Sequence, residues 1–264
     1  MRADYTTIKV KSDGLIAEIQ VAQPATLNAV SIEMHDELTE VFRQLSSVRD
    51  VRAVLFSAQG RVFCAGGDFN LILEDRAHPE RRASMEASAR ALFNAITQVP
   101  VPVVASVHGD TIGLGATLVL ACDAVVACRS ARISDPHVVI GLAAGDGGCV
   151  LWPQLMGLLR AKRYLLSGDR LNASDAHAMG LITDLVDTSE EVYPAAAALA
   201  QRLASLPPLG VQATKRALNH AVRLRAEEVF DLALKLELDT FFSADVGEAI
   251  AAIRERRPAV YVGA

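Results

Sequence analysis

Three short apolar runs constrain what this chain can fold into more than any other feature of its sequence. They lie at residues 51–57, 103–107 and 124–128, and each has the length of a buried strand. Helical patterns precede and separate them: Ser31 is a suitable N-cap for a first helix, and residues 115–121 predict an apolar one. Strands that alternate with helices at this spacing predict an α/β core rather than a barrel of antiparallel strands.

The segments on either side of these runs extend the prediction. Residues 7–11 and 15–21 alternate apolar with polar side chains around Asp13-Gly14, which predicts a hairpin, and a short strand is expected at Val62–Cys64. Beyond Leu151 the strand patterns stop, and we expect helices only. The predicted helices there are Ala161–Ser167, Ala173–Met179, Val192–Leu206, Gly210–Phe242 and Val246–Arg256.

The last segment of the chain, from Gly210 onward, is too small to form a sizeable core by itself. Its apolar side chains therefore need a partner surface, which is either the body of the same chain or another subunit. The positions concerned are Leu218, Val222, Val229, Leu232, Leu236 and Phe242.

Charge and cysteine usage exclude several classes of function. The chain has 26 Lys and Arg against 31 Asp and Glu, with no basic block, so we expect neither a nucleic-acid partner nor a membrane surface. Its four cysteines lack the spacing of a disulfide framework or a zinc site. Residues 1–11 contain no apolar stretch of a secretory signal, and residues 111–128 fit buried core better than a membrane span. These features favour a cytoplasmic protein with reduced thiols.

Glycines mark two segments whose backbone could bind a ligand. Gly66-Gly67 follows a predicted strand, where glycines leave N–H groups unshielded for a ligand oxygen; an ordinary tight turn is the alternative. Residues 108–117 run from a loop into the start of a helix, where N–H donors are free. Gly113-Leu114-Gly115 is not a dinucleotide fingerprint, because Leu118 stands where the third glycine belongs.

A third segment, residues 135–148, places two titratable side chains beside a glycine-rich turn. These are His137 and Asp146. A single histidine is more often structural, and an aspartate among glycines is more often a cap or turn residue. Neither residue identifies a catalytic site when it is taken alone.

Together these segments resemble the crotonase family, also called the enoyl-CoA hydratase/isomerase family, over nearly the whole chain. Residues 24–30 (PATLNAV) are similar to its N-terminal acyl-CoA motif, and residues 63–69 (FCAGGDF) match its first oxyanion turn. Residues 106–123 match its second oxyanion turn, and residues 242–258 resemble its C-terminal signature. With four motifs in order, the chain is identified as a member of this family.

The resemblance implies a fold, an assembly and a substrate. The expected fold is a spiral of ββα units over residues 1–200, which holds the acyl-CoA site, followed by a helical region at 201–264 for assembly into trimers or hexamers. The substrate is expected to be an acyl-CoA thioester, whose carbonyl lies between two backbone N–H groups that stabilise an enolate. By position these donors are Gly67 and Leu114. No metal and no separate cofactor are implied, since coenzyme A is part of the substrate.

The resemblance also implies positions that bind the substrate. Backbone near Ala25 and Leu27 is expected to contact coenzyme A, and Phe242 and Arg257 to lie near its nucleotide, within the chain or across a subunit boundary; helix packing and a solvated charge are their alternatives. Asp68 is expected to cap a helix rather than to act as an acid. Residues 71–90 resemble the variable part that shapes the acyl pocket, with Leu73, Met85 and Leu92 as lining. The predicted substrate-binding residues are Ala25, Leu27, Ala65, Asp68, Phe69, Gly113, Thr117, Phe242 and Arg257.

The chain departs from hydratases of this family at both positions where they carry catalytic glutamates. Aligning the motifs places Thr117 and His137 there. Threonine cannot exchange protons near neutral pH, whereas histidine can, and Asp146 is the other candidate base.

Hydration needs a base and an acid, while moving a double bond needs only one group that removes and returns a proton. We therefore expect an acyl-CoA hydratase or isomerase that forms an enolate, with isomerisation favoured over hydration and with proton transfer by His137, by Asp146 or by both. The alternatives are a thioester hydrolase, a decarboxylase or a carbon–carbon lyase of the same family, and an acyl-CoA-binding protein without catalysis.

Overall fold

A computed structural model of the chain describes residues 4–48 and 50–264. Residues 1–3 belong to segment 1–11, for which the sequence predicts no secretory signal, and they lie outside the described residues. The described strands are β1 (Ile8–Asp13), β2 (Ile16–Val21), β3 (Ala53–Ala58), β4 (Val103–Val107), β5 (Thr111–Ile112), β6 (Ala124–Cys128), β7 (Arg132–Ser134), β8 (Leu171–Asn172) and β9 (Asp184–Val186).

Helices alternate with strands in the N-terminal part of the chain, and most of the C-terminal part is helical. Ser31 caps the first of them by accepting a hydrogen bond from the backbone N–H of Met34 at 3.2 Å, as its hydroxyl and position predict. The described α-helices are α1 (Ile32–Gln44), α2 (Phe69–Ala77), α3 (Arg82–Thr97), α4 (Leu114–Leu120), α5 (Gly148–Met156), α6 (Leu158–Leu165), α7 (Ala173–Met179), α8 (Ser189–Ala204), α9 (Pro208–Phe241) and α10 (Ala244–Glu255).

Six strands form one sheet in the order β1-β2-β3-β4-β6-β9. The hairpin β1–β2 is antiparallel, as predicted, and every other neighbouring pair in this sheet is parallel. Helix α8 packs against β3, β4 and β6. All five residues of β4 are buried, which explains why its sequence is a continuous apolar run rather than an alternating one. The α/β class is therefore confirmed, with a C-terminal helical region beside the sheet.

Two predictions about strands are wrong for the same physical reason. Val62–Cys64 does not form a strand, because Cys64 makes only an isolated bridge to Thr111. Strands do not stop at Leu151 either, since β8 and β9 follow it. Elements of two or three residues are too short for a periodic pattern to show.

Helix α9 packs on the body of the chain with part of the predicted face: Val222 and Val229 pack against the main core, and Phe242 packs against a second apolar cluster. Its buried positions recur at helical spacing and join the same core as the sheet, through α3 and α5. Leu218, Leu232 and Leu236, which were expected to need a partner surface, are 68%, 61% and 47% exposed. The residues buried on this helix from 230 onward are Phe230, Ala233, Leu234, Glu237, Leu238 and Phe241. Within the described residues, none of the helices has both the length and the apolar character required to cross a membrane.

One buried asparagine holds the loop before α1 against the loop after β3. Asn28 is fully buried with φ of 55°, a conformation that asparagine tolerates better than most residues. Its side-chain amide donates to the carbonyl of Gln59 at 2.7 Å and to that of Phe63 at 3.1 Å. Its side-chain oxygen accepts from the backbone N–H of Gln23 at 2.9 Å. Asn28 therefore fixes the backbone that leads into the Gly66-Gly67 turn.

We predict that Asn28→Ala lowers the free energy of unfolding by about 3 kcal/mol, because it leaves several buried backbone groups without partners. Urea denaturation followed by circular dichroism measures this loss. Thr26→Ala, in the same loop but exposed, is the control and should cost less than about 0.5 kcal/mol. Equal losses for the two variants would contradict the role given to Asn28.

Candidate active site

A cavity of about 610 Å³ brings together nine of the thirteen predicted site residues. Apolar side chains such as Leu92, Phe93 and Ile96 also line it, so it suits an acyl group. Of the three residues expected to shape an acyl pocket, Met85 and Leu92 line the cavity and Leu73 does not. The predicted residues on the cavity are Ala65, Gly67, Asp68, Phe69, Gly113, Leu114, Thr117, His137 and Asp146.

The first glycine turn lies on the cavity wall between Cys64 and α2. Val30 forms a parallel bridge with Gly67, in which Val30 N–H donates to the carbonyl of Gly66 and Asp68 N–H donates to the carbonyl of Val30. Neither bond of this bridge uses the N–H of Gly67. Asp68 is the N-cap of α2, as expected, and accepts from the N–H of Asn70 at 2.6 Å.

The second glycine turn is the start of α4. Gly113 has φ of 55° and ψ of −124°, a conformation that requires glycine, and its N–H donates to the carbonyl of Ser134 at 2.9 Å. Leu114 is the first residue of the helix, so its own N–H has no acceptor within the helix.

The two turns touch through their glycines. A Cβ atom on Gly113 would lie 3.8 Å from the Cα of Gly66, and also 3.6 Å from Cε1 of His137. A Cβ on Gly66 would lie 3.2 Å from the carbonyl oxygen of Ile112. The residues that follow these two glycines, Gly67 and Leu114, both line the cavity, as does His137.

One imidazole and three carboxylates lie next to these turns. His137 Nδ1 hydrogen-bonds to Asp135 Oδ1, and His137 Nε2 lies 3.6 Å from Asp146 Oδ2 and 3.9 Å from Glu237 Oε1. The hydroxyl of Thr117 donates to Asp146 Oδ1 at 3.0 Å. Two oxygens of this cluster, Asp135 Oδ2 and Glu237 Oε2, have no hydrogen-bond partner among the described residues.

Burial and charge shift the pKa of every member that faces the cavity. Burial favours neutral imidazole, but Asp135, Asp146 and Glu237 together raise the pKa of His137 well above its usual value. Burial raises the pKa of Asp146, against the opposing effects of His137 and the Thr117 hydroxyl. Burial and the charge of Asp146 raise the pKa of Glu237 to about 8. The carboxylate of Glu237 can therefore exchange a proton near neutral pH.

The same cluster has the residue types and the ligand-atom spacing of a possible metal site, although its imidazole is hydrogen-bonded to Asp135. Asp135, His137 and Asp146 each offer one ligand atom, and these atoms lie within 4.8 Å of one another. The two imidazole nitrogens point to different carboxylates, whereas a metal ion would take only one nitrogen. The geometry is that of a hydrogen-bonded acid–base cluster.

Comparison with known proteins identifies the family of this chain. The family model described as enoyl-CoA hydratase/isomerase matches residues 11–264. The chain belongs to the enoyl-CoA hydratase/isomerase family. It is 32% identical to 1,2-epoxyphenylacetyl-CoA isomerase from Escherichia coli (strain K12), over 94% of this chain and 95% of the relative.

A second relative and a solved structure also match this chain over most of its length. Human enoyl-CoA hydratase domain-containing protein 2, mitochondrial, is 32% identical over 94% of this chain and 86% of its own length. The crystal structure of an enoyl-CoA hydratase/isomerase from Mycobacterium paratuberculosis superimposes with a TM-score of 0.89 and 34% identity, covering 93% of this chain and 98% of that one. The predicted family is confirmed.

Sequence reasoning missed two acidic residues in this enoyl-CoA hydratase/isomerase family member. Asp135 stands two positions before His137, close enough to be noticed as its partner. Glu237 comes from α9, far along the chain, and is 7% exposed. Its one sequence signal is a carboxylate within a run of apolar positions that includes Leu234 and Leu238.

Four predicted substrate-binding residues of this family member do not line the cavity. Leu27 accepts a hydrogen bond from the N–H of Ala65 at 3.1 Å, which places residues 25–27 beside the first turn. Phe242 follows α9, with the guanidinium of Arg82 6.0 Å from its ring centre. Arg257 is bound to the carboxylate of Glu248. Contact of these residues with coenzyme A stays a prediction.

We predict that this family member becomes less stable as pH rises from 6 to 9. The folded state keeps a proton on Glu237 up to about pH 8, while the unfolded state loses it above about 4.5. The raised pKa of His137 has the same sign: its stabilisation is complete below about 6.5 and is lost as pH passes the higher folded value. The free energy of unfolding then falls by at most about 1.4 kcal/mol per pH unit for each group.

Urea midpoints at pH 6, 7, 8 and 9 measure this decline. Glu237→Gln should reduce its slope, because glutamine does not titrate. Glu228→Gln, an exposed residue of the same helix, should leave the slope unchanged. A midpoint that stays constant or rises with pH in the unmodified protein would contradict the prediction.

Proposed function

We propose that this protein is an acyl-CoA isomerase, which moves a carbon–carbon double bond through a thioester enolate with Asp146 as the base. The observation that carries the proposal is the 3.0 Å hydrogen bond from Thr117 to Asp146. Thr117 stands where hydratases of this family carry a glutamate, and here it holds another carboxylate instead of exchanging protons itself.

The backbone of the two glycine turns is suited to bind the thioester carbonyl. Gly67 and Leu114, whose N–H groups are the proposed donors, both line the cavity, and Leu114 adds the positive end of a helix dipole. When a base removes the α-proton, negative charge develops on the carbonyl oxygen. One such donor typically lowers the barrier by about 3 kcal/mol.

The contacts of Asp146 suit a general base. Its raised pKa makes its carboxylate a stronger proton acceptor, and the Thr117 hydroxyl fixes one of its two oxygens. The other oxygen, Oδ2, faces Nε2 of His137 across 3.6 Å. His137, held by Asp135, supplies the positive charge that keeps the Asp146 carboxylate ionised.

One relative supports an isomerase that acts on a coenzyme A thioester. The Escherichia coli relative is named an isomerase of an acyl-CoA. The exposed leucines of α9, Leu218, Leu232 and Leu236, support assembly into the predicted trimer or hexamer through region 201–264. Because the human relative is named mitochondrial, the cytoplasmic location stays a prediction.

We predict that the protein converts trans-3-hexenoyl-CoA to its conjugated 2-enoyl isomer without adding water. Mass spectrometry and the absorbance of the conjugated thioester follow the reaction. Asp146→Asn should lower kcat by at least about 1,000-fold, because the amide accepts no proton. Asp231→Asn, an exposed aspartate on α9, is the control. Addition of water to the 2-enoyl-CoA faster than isomerisation would replace the isomerase by a hydratase, and full activity of Asp146→Asn would remove its role.

We predict that Thr117→Val lowers kcat about tenfold through the lost hydrogen bond to Asp146. Without that bond the pKa of Asp146 rises further, so the rising limb of the pH–rate profile should move to higher pH. Thr117→Ser keeps the hydroxyl and should restore both the rate and the profile. A profile that does not move in Thr117→Val would show that the hydroxyl does not act on Asp146.

A further inference from the structure

Glu237 is a buried carboxylate that has no role in the proposed removal of the α-proton by Asp146. Its side chain lines the cavity, and its Oε2 has no hydrogen-bond partner among the described residues. A buried polar atom without a partner destabilises the fold, so packing alone does not account for it. Asp135 also has an unpartnered oxygen, but it does not line the cavity, and its bond to His137 explains its position.

The loop that carries Asp146 lies in close contact with the helix at Glu237. A Cβ atom on Gly145 would lie 2.3 Å from the carbonyl oxygen of Ala233 and 2.6 Å from Cβ of Glu237, so only glycine allows this approach. Glu237 and Asp146 thereby both approach the same nitrogen of one imidazole. His137 Nε2 is 3.9 Å from Glu237 Oε1 and 3.6 Å from Asp146 Oδ2.

The contacts around this imidazole indicate which carboxylate is most easily protonated. One cation faces three buried carboxylates, and its Nδ1 is already bonded to Asp135. Thr117 also donates to Asp146, whereas the nearest charged partner of Glu237 is 3.9 Å away. Glu237 is therefore the member that is most easily neutralised, in agreement with its raised pKa.

We propose that Glu237 is a second proton-transfer group of this site, which as a carboxylic acid delivers the proton that completes double-bond migration. This inference rests on the proposed function. It adds an acid from the C-terminal helix to the base from the glycine-rich loop.

The step balances within the site. The Asp146 carboxylate takes the α-proton of a 3-enoyl thioester, and the electrons of that C–H bond form a dienolate whose charge spreads to the oxygen and the γ-carbon. The O–H bond of Glu237 then breaks, its proton forms a C–H bond at the γ-carbon, and the thioester carbonyl forms again beside a 2,3 double bond. Asp146 ends protonated and Glu237 ionised, and a proton passes between them by way of His137 Nε2, which faces both.

Three variants and two reactions test the proposal. Exchange of the α-protons of butanoyl-CoA in D₂O needs the base alone, whereas isomerisation of trans-3-hexenoyl-CoA needs the base and the acid. Glu237→Gln should lose at least about 100-fold in isomerisation and keep exchange within about threefold of the unmodified protein. Asp146→Asn should lose both reactions. Glu228→Gln, an exposed glutamate of α9, should lose neither.

The infrared spectrum gives a readout that does not depend on turnover. At pH 7 the unmodified protein should show the carbonyl band of a buried protonated carboxylic acid. Glu237→Gln should remove this band and Glu228→Gln should keep it. Absence of the band from the unmodified protein, or its survival in Glu237→Gln, would overturn the proposal even if the variant folded poorly.

The kinetic outcomes separate this inference from the function on which it rests. Isomerisation by Glu237→Gln at the rate of Glu228→Gln would overturn the role of Glu237 and leave the isomerase in place. Equal losses of exchange and isomerisation in Glu237→Gln would show a structural role and overturn it as well. An unmodified protein that catalyses neither reaction would overturn the proposed function, and the role of Glu237 with it.

Discussion

The site depends on the burial of three carboxylates around one imidazole. His137 cannot neutralise Asp135, Asp146 and Glu237 together, so burial and mutual repulsion raise the proton affinity of the group. Water would relieve this repulsion by solvating each charge. The apolar wall of the cavity and the docked face of α9 limit that solvation, so the proton stays within the cluster. The packing of α9 and of the apolar cavity wall thus helps to set the pKa values of the carboxylates around His137.

Backbone and side chains divide the work in this arrangement. The parallel bridge at Gly67 and the helix start at Leu114 leave N–H groups that the fold itself does not use, and glycines let the two turns meet. These donors suit a charge that forms on oxygen, and they need no particular side chain. Proton transfer does need side chains, which come from a loop and a helix distant in sequence.

The parts of this picture that were predictable rest on patterns local in sequence. Strands β4 and β6 and helix α7 have the predicted ends, because a full period or a buried run lies within each. The turns at Gly67 and Leu114 came from motifs. The strands β8 and β9 are too short to show a period. On α9 the sequence pattern does not separate buried from exposed leucines, because both of its faces carry leucines. Glu237 could not be predicted as a site residue, because the groups that shift its pKa, Asp146 and His137, are close to it in space but distant in sequence.

The dependence on α9 also bears on how the molecule is made. Synthesis proceeds from the N-terminus, so both glycine turns, His137 and Asp146 emerge well before the helix that begins at Pro208. Until that helix docks, the cavity lacks the wall to which Leu234, Glu237 and Leu238 contribute. A chain made only as far as Asp146 thus carries both glycine turns and His137 but not Glu237. The acid–base cluster is complete only after this long C-terminal helix has been made and has packed on the body of the chain.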